Sequence, residues 1–163
     1  MPCKWSEVDG DVLGKIGEQY AIIEFMSYGF DVRISMVDNC GVDFYAYKNN
    51  KEFKVQVKSV RPYSYTFIKK SDDSLFDVTD SEFLVCYLRF LDDHKDYICG
   101  VHPQIYIFRA TIWTELKTRS ILKDILSDYS CRKNNPEYGI KYNKTKGNDV
   151  LMEYSADIFF QSL

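Results

Sequence analysis

The sequence has few of the residues that mark secreted, metal-chelating or membrane proteins. Its five cysteines are scattered and odd in number, with no Cys-x-x-Cys pair, which argues against a disulfide framework and favours a reduced, cytoplasmic setting. The chain shows no secretory signal and no apolar run long enough to cross a bilayer, so we expect no membrane partner. Its two histidines, His94 and His102, lack partners at a metal-ligand or nucleophile spacing, which indicates structural or surface roles.

A basic excess is also missing, since the net charge is −3. Phosphate binding depends on Lys and Arg, so this value alone argues against a nucleic-acid partner. The charge is uneven, however: residues 71–96 carry eight acids against Arg89 and Lys95, and the other 137 residues net +3. One face could therefore meet DNA, although an ordinary solvated surface gives the same count.

The 163 residues contain no repeats or low-complexity tracts, so we expect a single domain spanning 1–163. Its core is predicted to cover about residues 11–130, with a basic arm at residues 132–146.

A β-hairpin is the clearest structural pattern. Residues 42–47 and 53–58 alternate apolar and polar side chains, as half-buried strands do. Asn49 and Asn50 lie between them and tolerate the positive φ of a two-residue turn.

Pairing outward from that turn brings three polar side chains together. Asp43 lies opposite Gln56, and Lys58 is a diagonal neighbour within reach. A carboxylate, an amide oxygen and an ammonium then share a patch of sheet that can hold a divalent metal and a water. A three-residue turn would instead put Asp43 and Gln56 on opposite faces.

This arrangement resembles the signature of the PD-(D/E)xK nuclease superfamily. Asp43 followed across a hairpin by Gln56-Val57-Lys58 is similar to its Gln-x-Lys variant, although Val42 stands where a Pro often precedes the Asp and Gln56 replaces the commoner acid. Gln-x-Lys forms occur in archaeal resolvase-like nucleases and in a bacterial group I intron-encoded homing endonuclease. The resemblance extends over roughly residues 13–60.

An upstream helix adds to the resemblance. Leu13, Ile16, Tyr20 and Ile23 predict an amphipathic helix from Asp11 to about Ser27, ended by Gly29. Within it, Gly14, Gly17 and Glu18 are similar to the first helix of the superfamily, whose Glu faces the same site. Taken alone, Glu18 is better interpreted as a solvated carboxylate; beside the hairpin, the functional interpretation is favoured.

The resemblance implies an α/β fold with a restriction-endonuclease-like core, a mixed sheet of about five strands flanked by helices. It implies catalytic roles for Glu18, Asp43, Gln56 and Lys58. Glu18, Asp43 and the amide oxygen of Gln56 would bind Mg²⁺, which prefers oxygen ligands. Lys58 would orient a water and offset charge in the transition state.

Other segments carry weaker patterns. Residues 83–90 predict a strand buried on both faces at the sheet centre. The remaining predictions are a strand at 30–36, one broken or two short strands at 97–110, a second helix at 111–128, and a closing strand or oligomer contact at 151–163.

Two basic segments are candidates for DNA contact. Arg61, Lys69 and Lys70 are interleaved with aromatics, which suits a nucleic-acid surface, though one face of an irregular strand gives the same spacing. Residues 132–146 carry five basic side chains against one acid, and a long loop or two-stranded ribbon there would fit the major groove. A mobile solvated loop is the alternative. The basic residues are Arg132, Lys133, Lys141, Lys144 and Lys146.

These patterns together favour a metal-dependent, site-specific endonuclease acting on double-stranded DNA, of the intron-encoded homing type. A structure-specific nuclease similar to junction resolvases is one alternative. Another is a DNA-binding module whose catalysis has lapsed, because Gln56 adds no charge to the site. Cutting both strands of a duplex requires two sites, so we expect a homo-oligomer, either a dimer or a tetramer.

Overall fold

The computed structural model describes residues 4–36, 40–61, 64–92, 102–142 and 147–163. Its helices are α1 (Gly10–Ser27), α2 (Gly147–Met152) and α3 (Ala156–Gln161), with 3₁₀ segments at Trp5–Glu7, Ala110–Lys117 and Ser120–Asp124. Its strands are β1 (Asp31–Ile34), β2 (Phe44–Lys48), β3 (Lys51–Val60), β4 (Thr66–Lys69), β5 (Phe83–Arg89), β6 (Gln104–Arg109), β7 (Leu126–Asp128) and β8 (Glu137–Ile140). None of the described helices is long and apolar enough to span a membrane.

A five-stranded mixed sheet forms the centre of the fold. Its order is β1-β2-β3-β5-β6, with β3 and β5 parallel and the other neighbours antiparallel. The predicted fold class, α/β with a mixed sheet of about five strands and flanking helices, is confirmed. The middle strand is β3; β5, buried along its whole length, lies beside it, one place from the predicted centre.

The hairpin has the predicted turn and, from Lys48–Lys51 to Phe44–Val55, the predicted register; the predicted pair of Asp43 with Gln56 is not part of the ladder. Asn49 and Asn50 adopt positive φ values of 52° and 60°. A two-residue turn with this conformation matches the right-handed twist of the strands that it joins. Lys48 pairs with Lys51, and the ladder runs to Phe44 opposite Val55.

Helix α1 covers one face of this sheet. The Asp9 carboxylate caps it by accepting from the N–H groups of Asp11 at 2.9 Å and Val12 at 3.4 Å, and Gly29 follows its end at φ 81°. The residues it buries are Leu13, Gly17, Ala21 and Phe25. This stripe is rotated from the predicted one, since Ile23 is 63 % exposed, and the small Gly17 allows α1 to approach the sheet closely.

The opposite face is covered by a small second sheet and the 3₁₀ segments Ala110–Lys117 and Ser120–Asp124. Strands β4, β8 and β7 pair in that order, a layer that the sequence patterns did not predict. The predicted helix at 111–128 is wrong. Thr114 and Thr118 donate their hydroxyls to carbonyls three residues earlier, at 2.6 and 3.1 Å; such side-chain bonds compete with a regular helix, and the backbone there is 3₁₀.

The closing strand predicted at 151–163 is also wrong, because this segment forms α2 and α3. Phe160 of α3 packs against Phe25 and Phe30, with ring centroids 5.0 and 5.5 Å apart. Helix α3 thus belongs to the core on the α1 side, whereas Leu151 of α2 packs in the cluster on the opposite face. Of the strand predicted at 97–110, β6 is described; His94 and residues 97–101 lie outside the described residues.

Candidate active site

The middle strand β3 presents different chemistry on its two faces. Val55 packs with α1 in one core cluster, and Val60 packs in the cluster on the opposite side. Because side chains alternate along a strand, Gln56 and Lys58 point to the same side as Val60. Both are partly buried.

Asp43 lies just before β2 and reaches β3 within the plane of the sheet. Its N–H donates to the Val55 carbonyl at 2.9 Å, and its Oδ2 accepts from the Val57 N–H at 2.6 Å. The carboxylate therefore takes the place that a further β2 residue would have in the ladder, at the β3 residue between Gln56 and Lys58. From this position its negative charge acts on the Lys58 ammonium.

The Lys58 ammonium is poorly hydrated. Burial lowers its pKa below the ordinary value, and the negative charge of Asp43 counters part of that effect. Its neighbour on β5 is Tyr87, a fully buried side chain. Lys58 is thus a cation whose proton is held less firmly than that of a solvated lysine.

The amide of Gln56 has an orphaned oxygen. Its Oε1 is buried and accepts no hydrogen bond within the described part of the chain. Gly41, at φ +72°, lies so close that a Cβ there would be 3.4 Å from Gln56 Nε2. Glycine thus allows the loop before Asp43 to close over the amide.

A hard cation suits this pair of oxygen donors. A buried amide oxygen without a partner beside a carboxylate is what Mg²⁺ takes as ligands, with water or phosphate completing its shell. Among the described residues, no three His, Cys, Asp or Glu side chains form a metal-binding group, so the donor set would be mixed. Asp43 and Gln56 fit the ion in this sense.

Glu18 is half-buried on α1, the helix on the Val55 side of β3. The preceding Gly17 is so close to β3 that a Cβ there would be 1.8 Å from Ser59 Oγ, and Ser59 follows Lys58. Gln56 and Lys58 point to the opposite side of β3, so the Glu18 carboxylate could approach them only around the edge of β3, at the point where β2 ends. Asp43 already lies at that edge, and the role of Glu18 stays a prediction.

A cleft opens beside these residues. It has a volume of about 330 Å³ and is lined by Gly41, Gln56, Lys58, Thr66, Phe67, Lys69, Ser71 and Ser74. The structure thus brings the predicted DNA-binding Lys69 to Gln56 and Lys58. The sequence patterns did not identify the lining residues from the 66–74 segment, apart from Lys69, because their proximity arises only when β4 folds across the sheet.

The other basic residues near the hairpin differ in their surroundings. Lys70 is exposed next to the cleft-lining Lys69. Arg61 donates to the Val8 carbonyl, and this contact ties the segment before α1 to the end of β3. For Arg61 the described contact is structural.

The predicted basic arm is only partly at the surface. Strand β8 falls within it, with Tyr138 only 8 % exposed, and Tyr142 lies under the buried Arg89 with its ring 3.6 Å from Cζ. The loop interpretation is therefore wrong for residues 137–140, and the two tyrosines belong to the core.

The basic side chains of that arm are also dispersed. Arg132 is exposed and lies over the Tyr129 ring at 3.5 Å, and Lys133 is exposed. Lys141 is half-buried and lines a separate cavity of about 640 Å³. Lys144 and Lys146 lie outside the described residues.

Known proteins resemble this chain in structure but not detectably in sequence. No protein-family model matches the chain, and no curated protein matches it by sequence. Among solved structures, the chain is similar to a bacterial homing endonuclease, with a TM-score of 0.53, 14 % identity and 95 % of each chain covered. Hjc of Archaeoglobus fulgidus, a Holliday junction resolvase, is 12 % identical over 86 % of this chain and 88 % of its own, with a TM-score of 0.45. At 14 % identity, the likeness to the homing endonuclease shows a shared fold alone.

Proposed function

We propose that this chain is a metal-dependent endonuclease that hydrolyses phosphodiester bonds in double-stranded DNA. The observation that carries the proposal is the position of three groups around Val57 of β3: the Asp43 carboxylate on the Val57 N–H, and on either side of Val57 the orphaned Gln56 oxygen and the poorly hydrated Lys58 ammonium. Their resemblance to the Gln-x-Lys form of the PD-(D/E)xK signature supports it, as does the shared fold.

Asp43 and Gln56 would hold a Mg²⁺ ion at the mouth of the cleft, with Glu18 as a proposed third ligand. The ion would supply positive charge at the phosphate and make an attacking water more acidic. Asp43 is already oriented, because the Val57 N–H fixes one of its oxygens. A ligand held in position needs little reorganisation as charge develops.

Lys58 would act beside this pair. Its ammonium can orient the attacking water and offset charge on the phosphate as the new bond forms. Burial favours its neutral form, which eases proton exchange with that water. Lys69, which lines the same cleft, would bind an adjacent phosphate.

We further propose that cleavage is site-specific, as in homing endonucleases. The fold likeness to a bacterial homing endonuclease over 95 % of each chain supports this choice. Gln56 supports a second candidate, a DNA-binding module with lapsed catalysis, because a neutral ligand binds a cation more weakly than a carboxylate does.

Plasmid cleavage with Mg²⁺ tests the proposal. We expect Asp43→Ala to lose both metal affinity and cleavage, since it removes a charged ligand. Lys58→Ala should keep metal affinity and lose cleavage by about 100-fold or more, because its contribution is made in the transition state. Lys51→Ala, an exposed lysine on the same strand, is the matched control and should stay fully active.

Metal affinity measured by calorimetry on the same variants separates the two candidate functions. Gln56→Glu should bind Mg²⁺ more tightly, because it adds a charge to the site. DNA binding without cleavage by the wild type at any Mg²⁺ concentration would favour the lapsed module. Full activity of either alanine variant would remove these residues from the reaction.

A further inference from the structure

Two aromatic side chains are exposed at strand β4: Phe67 within it and Tyr65 directly before it. The strand lies at the edge of the second sheet, and Tyr65 and Phe67 are 45 % and 44 % exposed, while Ile68 between Phe67 and Lys69 is 1 % exposed. Residues two apart share a face of a strand, so Tyr65, Phe67 and Lys69 form an outward stripe. We call Tyr65 and Phe67 the β4 platform.

The platform is held in place by its neighbours. Gly139 lies opposite Phe67 on β8, and a Cβ there would be 2.3 Å from the Tyr65 hydroxyl oxygen and 2.7 Å from its Cε2. The missing side chain lets the Tyr65 ring lie across β8. The Tyr65 hydroxyl donates to Glu137 Oε1 at 2.7 Å, and its ring stacks on Phe67 with centroids 6.1 Å apart and planes at 27°.

The platform also adjoins the candidate active site. Phe67 and Lys69 line the cleft that contains Gln56 and Lys58. The two aromatic rings of the platform therefore lie beside the ammonium groups of Lys58 and Lys69. This matches the two parts of a nucleotide, because lysines attract the phosphate and a ring accepts the flat face of the base.

We propose that the β4 platform binds a nucleobase unstacked from the duplex beside the cleaved phosphate. The inference rests on the proposed function and deepens it. Paired DNA presents base edges in its grooves, whereas an aromatic platform offers contact only to a base face, which becomes available when the base leaves the stack. DNA with an unpaired base near the target has already lost the pairing that opposes this step, and binds more tightly.

Binding to two short fluorescein-labelled duplexes, identical except for one unpaired adenine, tests the platform. The measurement is made in EDTA, so that cleavage does not interfere, and uses fluorescence anisotropy. We expect the wild type to bind the duplex with the unpaired base about 10-fold more tightly, the size expected of one base stacked on an aromatic ring. Phe67→Ala should lose this preference and still bind the paired duplex.

Matched variants separate stacking from apolar contact. Phe67→Trp keeps a ring face and should keep the preference, whereas Phe67→Leu keeps apolar volume and should lose it. Ile23→Ala removes a 63 % exposed apolar side chain on α1 and should behave as wild type. With 2-aminopurine as the unpaired base, fluorescence should be quenched by the wild type and restored by Phe67→Leu.

The possible results distinguish the two proposals. Equal binding of both duplexes by the wild type, or an undiminished preference in Phe67→Leu, would overturn the platform and leave the endonuclease untouched. Failure to bind either duplex would overturn the platform, and the endonuclease would be overturned only if plasmid cleavage with Mg²⁺ were absent as well. If Phe67→Ala does not fold, the Leu and Trp variants decide the question.

Discussion

Lys54 and Lys58 lie on the same face of β3, but the surroundings of their ammonium groups shift the two pKa values in opposite directions. Lys54 Nζ lies 2.9 Å from Asp80 Oδ2, and this hydrogen bond raises the lysine pKa. Lys58 is more deeply buried, and its desolvation outweighs the attraction of Asp43, so its pKa is lowered. The ion pair at Lys54 stabilises the fold, whereas the charge on Lys58 costs stability, as expected of the catalytic role proposed for it.

Lys58→Met should therefore stabilise the protein while removing cleavage. Replacing a desolvated ammonium with an apolar chain of similar length should raise the free energy of unfolding by about 1 kcal/mol. Lys54→Met is the matched control and should lower it by about 0.5 kcal/mol, since it breaks a partly exposed pair. Urea titration measures both. A destabilised Lys58→Met would mean that the attraction of Asp43 exceeds the cost of burial.

The pH dependence of stability should differ in a defined direction. Because the folded pKa of Lys58 is lowered, the unfolded chain binds more protons in the window between that value and 10.5, and the penalty is relieved as pH rises through it. The gap in unfolding free energy between Lys58→Met and wild type should therefore shrink from pH 7 towards pH 10. A constant gap would show that Lys58 has an ordinary pKa in the fold.

Only part of the site geometry follows from residue patterns. Strand alternation and the Asn49-Asn50 turn are local features, and they predict that Gln56 and Lys58 share a face. The position of Asp43 depends on the Val57 N–H, left without a β2 partner where that strand ends. Ser71 and Ser74 follow β4 and line the cleft through tertiary contacts such as the bond from the Leu75 N–H to the Cys40 carbonyl, and no local pattern contains that information.

At the scale of elements, the packing contact between α1 and β3 lies next to the candidate site, because Ser59 of this contact follows Lys58. Gly17 packs tightly against β3: a Cβ there would be 1.8 Å from Ser59 Oγ and 3.0 Å from Ser59 Cβ. Gly14, one turn earlier, has no heavy atom within 4 Å of a Cβ in the described structure. The two glycines of the motif thus have different roles, and only Gly17 is required for packing.

Substitution by alanine should separate them. Gly17→Ala should destabilise the protein by about 1–3 kcal/mol through overpacking. Gly14→Ala should stabilise it by about 0.5–1 kcal/mol, because alanine is the better helix former. Thermal unfolding measures both, and Ser59→Ala combined with Gly17→Ala should recover part of the loss. An unchanged stability in Gly17→Ala would show that α1 can shift away from β3 at little cost.

Long elements with local sequence signals could be predicted, whereas short elements that depend on tertiary contacts could not. The 18-residue α1 has enough periodic positions and a cap at Asp9, and β2 and β3 have a turn with its own sequence signature. Helices α2 and α3 have six residues each, too few for a helical period to stand out from strand alternation. Their conformation depends on contacts such as Phe160 with Phe25, which are distant in sequence.

At the scale of the whole molecule, charge should govern the encounter with DNA. A net charge of −3 means that attraction must come from local basic surface, so binding should weaken steeply with salt. Replacing Lys141, Lys144 and Lys146 together by Ala should weaken binding and flatten the salt slope, by up to about three counterions. Lys15→Ala, exposed on α1, is the control, and an unchanged slope in the triple variant would place the arm outside the interface.

Cleavage of both DNA strands should require two chains acting together. One chain carries one set of Asp43, Gln56 and Lys58, whereas a double-strand break needs two cuts, so we expect a two-fold homo-oligomer on DNA. Wild-type protein should then convert supercoiled plasmid directly to linear product. Oligomers that combine wild-type and Asp43→Ala chains should release mainly nicked circles, because each retains one competent site. Sedimentation of the DNA complex gives the stoichiometry independently. A single chain on the duplex, with nicked circles as the main wild-type product, would show that each chain cuts alone and that the second strand is cleaved in a separate binding event.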